Sequence, residues 1–324
     1  NIANTAIAYI PNINMEASKV SQYVVEAKLF RAWNYFFLVK LFGDVPFYTE
    51  PSNIEDLFLP RTAKSTVLAQ AESDLKDAVA NLPAKTWSAN GHRVSKYVAA
   101  MILADVYFYQ GKYADAASAI QTVLNSEHAL TAHNAEITAA NYEETKLESA
   151  WNQLRTTDDL AETIYAYEYD GNVSKATRWS PMAFDAAILA FKGVKYSIAE
   201  RIYGPIPSYL NVYEEGDMRA LPNQFYHWKF TNPNDPTQVW EREIKEGPGA
   251  WYLYTEEDMF KNGYSAKDRD IYRYAEALLL GAEAIAQSAG VTAEAANYLA
   301  QIKARANMEG KTVANIAIEL QAVS

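Results

Sequence analysis

Four tryptophans in irregular segments are the side chains of this 324-residue chain whose type and setting best suit ligand binding. Trp228 and Trp251 lead this set, with Trp87 and Trp179 behind them, because each stands near Gly, Pro or Asn residues rather than on a helical stripe. Sugars present apolar C–H faces ringed by hydroxyls, so they suit flat, exposed rings with polar side chains at the edges. These segments have the character of a saccharide-binding surface, and burial in the core is the alternative for each ring.

The other three tryptophans of the chain are better explained by packing. Trp151 and Trp240 adjoin more regular segments, so ligand contact is less expected for them. Trp33 lies on the apolar stripe of a long helical run and is predicted to be a core residue.

Groups of neighbouring carboxylates raise the question of a glycoside hydrolase. The groups are Glu214 and Glu215 with Asp217, Glu241 with Glu243, and Glu256 and Glu257 with Asp258. Glycoside hydrolysis needs two carboxylates on opposite sides of a bound sugar at a set separation, and sequence alone does not show such a separation. Solvated surface charge is the commoner origin of such groups, so we predict no catalytic residue.

The sequence offers no recognisable metal, phosphate or nucleic-acid site. There are no cysteines, the four histidines lack the spacing of metal ligands, and neither an H-E-x-x-H nor a P-loop pattern occurs. No cofactor is therefore predicted, although loop carboxylates and backbone oxygens could hold a structural calcium ion without a fixed motif. The net charge of −11 argues against nucleic acid as a partner.

The composition is that of a folded chain with a large core. Hydrophobic residues make up 49% of the sequence, but no run of about 18 apolar residues could cross a membrane as a helix. The first residues, Asn-Ile-Ala-Asn, lack the basic and apolar regions of an export signal.

A long helix is predicted within residues 26–46, where apolar side chains recur at spacings of three and four. The stripe consists of Phe30, Trp33, Phe37 and Leu41. A stripe of this kind is predicted to be buried. Gly43 can adopt the left-handed conformation that closes a helix, and Pro46 prevents it from restarting.

Helical pairs are predicted to follow this first helix. Periodicity indicates helices over 65–82, 95–110 and 113–124. The last two match the spacing of a tetratricopeptide repeat, in which Ala104 and Ala116 would let the two helices approach closely.

The central section breaks this pattern. Between residues 129 and 267 seven prolines interrupt the chain, and the run 163–169 is the strand-like piece. A further helical pair is predicted over 272–287 and 292–306, with Leu278 and Leu279 among its buried residues. We therefore predict a mainly α fold with a tetratricopeptide-like scaffold at 1–128 and 268–324 and a loop-rich, ligand-binding insertion at 129–267 that carries a few short strands.

Four sequence blocks, in this order, resemble the SusD/RagB family. The first block reads E-A-x-x-x-R-A-x-x-Y-F-x-L-V-x-x-F-G-D-V-P over residues 26–46. The other blocks are D-L-x-x-A-x-x-x-L-P at 74–83, G-H-R-V-S-K at 91–96, and Y-R-Y-A-E-A-L-L followed by A-E-A at 272–284. The run 213–219 also resembles the family's G-D-x-R turn, in which Asp217 and Arg219 would hold each other.

The resemblance implies a single-domain glycan-binding protein of the outer membrane of Bacteroidetes. Such a protein captures oligosaccharides or polysaccharides without catalysis and delivers them to a SusC-like TonB-dependent transporter. Family members are anchored through a lipidated N-terminal cysteine that this chain does not carry, and they usually continue beyond residue 324, so the chain is expected to be incomplete at both ends. The alternatives are a glycoside hydrolase on a helical scaffold and a RagB-like peptide-binding protein.

Overall fold

The computed structural model describes residues 1–52, 58–170, 180–202 and 204–322. The chain divides into two compact units. The helical unit comprises Asn1–Ala129, Ala161–Tyr165 and Tyr272–Tyr298. The loop-rich unit comprises Leu130–Leu160, Ala166–Ile271 and Leu299–Ser324. The expected organisation as a single domain stays a prediction.

Helices dominate the described residues, and the strands are short. The helices are α1 (Ile2–Tyr9), α2 (Ala17–Phe42), α3 (Lys64–Asn81), α4 (Lys96–Tyr109), α5 (Tyr113–Leu124), α6 (Tyr142–Thr145), α7 (Ala150–Thr156), α8 (Tyr274–Ala289), α9 (Ala293–Ala306) and α10 (Val313–Ala322). The strands are β1 (Val45–Pro46), β2 (Arg61–Thr62), β3 (Thr163–Tyr167), β4 (Lys229–Thr231), β5 (Val239–Glu241) and β6 (Arg269–Arg273). They form the two-stranded sheets β1–β2, β3–β6 and β4–β5.

In the helical unit, most helices pack on their neighbours in sequence, as the predicted pairs require. Helix α2 packs on α1 and α3, α4 packs on α3 and α5, and α5 packs on α8. Ala104 and Ala116 are fully buried, which allows α4 and α5 to approach closely. The predicted mainly α fold with tetratricopeptide-like helical pairs is confirmed.

The stripe of α2 predicted to be buried is largely exposed. Phe37 and Leu41 each expose 59% of their surface, and Phe30 exposes 37%. The buried residues of this helix are Val25, Ala27, Leu29, Arg31, Ala32, Phe36 and Val39. The prediction was wrong because α2 is apolar on more than one face, and periodicity cannot decide which face meets α3.

The predicted end of α2 is confirmed. Gly43 has φ 68°, in the left-handed region, and its N–H donates to the carbonyl oxygen of Val39 at 2.9 Å. Asp44 then accepts a hydrogen bond from the backbone N–H of Lys64 at 2.8 Å, which satisfies a free donor at the start of α3.

Residues of the sequence blocks at 26–46, 74–83 and 91–96 hold the helices together. Arg31 on α2 forms two hydrogen bonds of 2.8 Å with the carboxylate of Asp74 on α3, and both side chains are buried. Glu26 on α2 forms an ion pair with Arg93, in the segment before α4. These motif residues therefore have structural roles in the helical unit.

Helix α8 buries only part of the face predicted for it. Leu278 is fully buried as expected, but Leu279 exposes 44% of its surface. Gly281 is buried instead, and a Cβ atom there would lie 3.2 Å from side-chain atoms of Ile120 and Leu124 on α5. The absence of a side chain at Gly281 is what lets α5 and α8 pack so closely.

Two aromatic cores lie among the described residues of the loop-rich unit. One consists of Ile137, Tyr142, Trp151, Leu154, Met218 and Ala306. The other consists of Ala183, Phe184, Ile188, Tyr196, Ala199, Phe230, Trp240, Trp251, Tyr254 and Met259. Trp151 and Trp240 thus belong to the cores, in keeping with their sequence context.

Candidate functional site

A cleft of about 470 Å³ in the loop-rich unit combines an accessible indole with polar side chains. We call it the Trp228 cleft. Its lining includes Trp228, Trp251, Tyr254, Asn223, Glu143 and Lys146. Trp228 is half-buried, whereas Trp251 and Tyr254 form the floor with little exposed surface.

The backbone that carries Trp228 is hydrogen-bonded on both sides. The carbonyl oxygen of Trp228 accepts from the N–H of Arg242 at 2.9 Å, and β4 continues this pairing with β5 through Phe230 and Trp240. The preceding residue, His227, exchanges two backbone hydrogen bonds with Gly249, of 3.0 and 2.8 Å. The indole therefore projects from a fixed backbone rather than from a free loop.

Asn223 supplies an amide at the edge of the cleft. Its φ of 67° lies in the left-handed region, which Asn tolerates better than most residues. Its N–H donates to the carbonyl oxygen of Tyr226 at 2.7 Å, and its own carbonyl oxygen accepts from Asn152 Nδ2 at 2.8 Å. The backbone of Asn223 is thus fixed while its side chain lines the cleft.

Asn152 on α7 lies behind the cleft and joins its parts. Its Oδ1 accepts hydrogen bonds from Trp251 Nε1 at 3.0 Å and from Arg155 Nε at 2.7 Å. Its Nδ2 donates to the carbonyl oxygens of Asn223 and Lys146. Sequence analysis missed this residue, because its contacts with Asn223 and Trp251 come from segments about 70 to 100 residues away along the chain.

Trp251 was predicted to offer an exposed ring, and that expectation is wrong. It exposes only 6% of its surface. The Arg155 guanidinium lies 4.6 Å from the centre of its ring, and the Tyr254 ring lies 4.8 Å away. Trp251 is a core residue that also reaches the floor of the cleft, and its contact with a ligand stays a prediction.

Two titratable residues beneath the cleft are kept neutral. Burial lowers the pKa of His227 to about 3, with the nearby arginines acting in the same direction. Burial also raises the pKa of Tyr254, and the charge of Glu256 adds to this effect. Neither side chain is suited to proton transfer near neutral pH, so both are explained by packing.

The two other predicted tryptophans lie outside the Trp228 cleft. Trp87 exposes only 4% of its surface and packs between His92 and Tyr165, with ring centres 5.4 and 5.1 Å away, so the expected exposed ring is wrong. Trp179 lies outside the described residues. Trp33, expected in the core, is half-buried against Tyr165 and Tyr272.

Six of the eight carboxylates considered for hydrolysis are engaged in ion pairs. The pairs are Glu214 with Lys303, Asp217 with Arg219, Glu241 with Lys229, Glu243 with Lys245, Glu256 with Arg155, and Glu257 with Lys261. The predicted mutual contact of Asp217 and Arg219 is confirmed, with Arg219 Nε at 2.9 and 3.1 Å from the two carboxylate oxygens.

Within residues 1–52, 58–170, 180–202 and 204–322, no group of three or more His, Cys, Asp or Glu residues is arranged to hold a metal ion. The expectations of no cofactor and of a structural calcium ion both stay predictions. Over the same ranges, none of the helices combines the length and the apolar character that a membrane span needs.

Two family models match this chain. Residues 1–108 match a SusD-like family described as "Starch-binding associating with outer membrane", and residues 212–323 match one described as "SusD family". A curated SusD-like protein of Formosa agariphila is 26% identical over 326 residues, covering 94% of this chain and 60% of its own length. Another from that organism is 32% identical over 122 residues, 37% of this chain and 23% of its own. The chain thus spans about 60% of the length of the first relative and less of the second.

Several solved structures share the fold. A SusD superfamily protein from Parabacteroides distasonis superposes with a TM-score of 0.77 at 21% identity, covering 99% of this chain and 68% of its own. A structure described as a laminarin binding SusD-like protein has a TM-score of 0.66 at 20% identity, covering 98% of this chain and 71% of its own. The surface glycan-binding protein A of Bacteroides uniformis has a TM-score of 0.62 at 20% identity, covering 98% of this chain and 67% of its own.

Proposed function

Because the chain belongs to the SusD/RagB family, we propose that it is a non-catalytic glycan-binding protein that holds oligosaccharides in the Trp228 cleft. The observation that carries this proposal is a half-buried indole on a fixed backbone, edged by amide, hydroxyl and charged side chains. The indole would stack on the C–H face of a sugar, and Asn223 and Thr231 would bond its hydroxyls.

The affinity expected of such a site is modest. One accessible ring buries a small part of an oligosaccharide, and the ligand loses its freedom of movement on binding. Dissociation constants of roughly micromolar to millimolar follow from this balance. A protein that hands its ligand on is well served by such weak binding.

We infer that the protein does not cleave its ligand. The lining carboxylates Glu143 and Glu256 each have a cationic partner, at 2.7 Å for Lys146 and 3.8 Å for Arg155. Glycoside hydrolysis needs two carboxylates set on opposite sides of the bound sugar, and here each carboxylate is directed to a cation instead. Release of shortened sugars by the pure protein, lost in Glu143→Gln or Glu256→Gln, would contradict this part of the proposal.

The partner and the location are proposed from the family alone. The description of one matching family associates it with the outer membrane. One structural relative is described as a laminarin binding SusD-like protein and another as a surface glycan-binding protein. We propose that the full-length protein is lipid-anchored at the cell surface and delivers glycans to a SusC-like TonB-dependent transporter. Binding of this protein to a purified transporter of that class, measured with and without glycan, tests the delivery step.

The glycan site is tested by titration with a panel of neutral oligosaccharides and peptides. We expect the protein to bind at least one glycan, and Trp228→Ala to weaken that binding about tenfold or more, which is about 1.4 kcal/mol. The matched control is Phe37→Ala, which removes an exposed ring of α2 that does not line the cleft. Binding of peptides instead of glycans, or glycan binding that is unchanged in Trp228→Ala, would contradict the proposal.

A further inference from the structure

The charged side chains that line the Trp228 cleft balance one another. Two are anionic, Glu143 and Glu256, and two are cationic, Lys146 and Lys229. The lining therefore has no net charge, although the whole chain carries −11. A site for an anionic ligand normally presents an excess of cations.

Each cation of the lining already has a carboxylate partner. Lys146 Nζ lies 2.7 Å from Glu143 Oε2, and its side chain is mostly shielded from water. Lys229 Nζ lies 3.8 Å from Glu241 Oε2. An anionic sugar would have to displace one of these carboxylates or remain close to it, and either arrangement costs free energy.

Arg155, which contacts the lining residues Trp251, Tyr254 and Glu256, is also committed. Arg155 exposes 3% of its side chain, donates to Asn152 Oδ1 and to the carbonyl oxygen of Tyr254, and packs on the Trp251 ring. Its guanidinium cannot form the two parallel hydrogen bonds by which arginine grips a carboxylate or a sulfate. Behind the cleft, therefore, the positive charge is used to hold the protein together.

From this charge arrangement we propose that the Trp228 cleft selects neutral saccharides and discriminates against uronic acid, sialic acid and sulfated sugars. The inference rests on the proposed function and adds the chemical class of the ligand. Stacking on Trp228 is indifferent to charge, so the selection comes from the paired lysines and from Glu256. Neutral hydrogen-bonding groups, Asn223 and Thr231, remain to bond sugar hydroxyls.

Matched glycans that differ only in charge test this selection. We would titrate the protein with laminarin and laminarin sulfate, dextran and dextran sulfate, and hydroxyethyl and carboxymethyl cellulose, by calorimetry at low and at moderate salt. We expect a neutral member to bind with an affinity that salt changes less than twofold, and its charged counterpart to bind at least about tenfold more weakly.

A charge variant makes the test sharper. Glu143→Gln should release Lys146 and give the lining a net positive charge, so the ratio of charged to neutral affinity should rise several-fold over that of the wild type. Trp228→Ala, measured with the same glycans, reports whether binding takes place in this cleft.

The outcomes separate the two proposals. Equal or tighter binding of a charged member, lost in Trp228→Ala, overturns the neutral preference and leaves the glycan site standing. A charged-to-neutral ratio that does not change in Glu143→Gln also overturns it. Failure of every glycan to bind, or binding that Trp228→Ala does not affect, overturns the glycan site itself and the inference with it.

Discussion

A single buried amide, that of Asn152, couples the floor and the edge of the Trp228 cleft. It accepts hydrogen bonds from Trp251 and Arg155 and donates to the carbonyl oxygen of Asn223. Asn152, Trp251 and Arg155 are buried, so each of their mutual bonds that is lost leaves a polar atom unpaired in the interior. Such unpaired atoms cost about 1–3 kcal/mol each, more than the bonds themselves contribute.

Replacing Asn152 by leucine, which has a similar volume, should lower the free energy of unfolding by about 3 kcal/mol or more. Glycan affinity should fall as well, because the backbone of Asn223 loses the donor that fixes it. Urea unfolding and glycan titration measure the two effects. The control is Gln153→Ala, whose side chain donates only at an exposed position to the carbonyl oxygen of Ala132 and should matter little. Equal stability of the two variants would show that Asn152 is not a central residue.

Sequence context located the region of the cleft but not the state of each ring. Trp228 and Trp251 both stand in Gly, Pro or Asn-containing segments, yet one is half-buried and the other is a core residue. An irregular segment indicates only that a ring is not buried on the stripe of its own helix. The residues that bury Trp251 come from elsewhere, from α7 and from Tyr254. Those contacts depend on tertiary structure, which one sequence does not reveal.

Among the elements, α2 and α3 are joined by an ion pair whose partners are both removed from water. Arg31 and Asp74 meet through two hydrogen bonds, and Gln70 donates a further one to the same carboxylate at 2.9 Å. A buried pair of this kind is costly to break, because the remaining charge has neither water nor a partner. An exposed pair on the same helices contributes far less.

The variant Asp74→Ala should therefore lower the free energy of unfolding by about 3–5 kcal/mol. Helix α3 offers a matched control in Asp77, which pairs with Lys28 from α2 at 2.6 Å while about a third of each side chain is exposed. Asp77→Ala should cost no more than about 1 kcal/mol. Chemical denaturation of both variants gives the comparison, and similar losses would mean that the burial of the Arg31–Asp74 pair has no special effect.

Neighbouring aromatic residues of α2 should respond to truncation in opposite ways. Phe36 exposes 3% of its surface and Phe37 exposes 59%. Phe36→Ala should cost about 3–5 kcal/mol as a cavity in the core, and Phe37→Ala less than about 1 kcal/mol. Thermal unfolding of the two single variants distinguishes them. A larger loss of stability for Phe37→Ala than for Phe36→Ala would show that the stripe predicted from the sequence, which includes Phe37, is the buried face of α2.

At the scale of the whole molecule, long periodic segments were predictable and long-range organisation was not. Residues 113–124 were predicted as a helix with the observed bounds, and 95–110 with ends one residue away from those of α4. Short helices such as α1 and α7 were missed, since about two turns carry little periodic signal. The division into two units was not predictable, because segments such as 161–165 and 299–324 each belong to a unit whose other residues are mostly far away in sequence.

Stability of the whole molecule should depend on pH through Glu276, in the first turn of α8. Burial raises the pKa of its carboxyl from 4.5 to about 7, the charge of Asp105 acts in the same direction, and Arg273 opposes it. Because the folded state binds this proton more tightly than the unfolded state, the residue lowers the free energy of unfolding progressively as pH rises from about 4.5 to about 7.

Glu276→Gln removes this titration while keeping the size of the side chain. All other titrating groups remain in both proteins, so the difference between variant and wild type isolates the contribution of Glu276. We expect the two proteins to have similar stability near pH 4.5 and the variant to be more stable by about 2 kcal/mol above pH 7, at about 1.4 kcal/mol per pKa unit with a reduction for residual solvent. Urea unfolding across this range measures the difference, with Glu283→Gln at an exposed position of α8 as the control. A stability difference that is the same at every pH would show that Glu276 has the same pKa in the folded and the unfolded chain. Burial of Glu276 would then contribute nothing to the pH dependence of the free energy of unfolding.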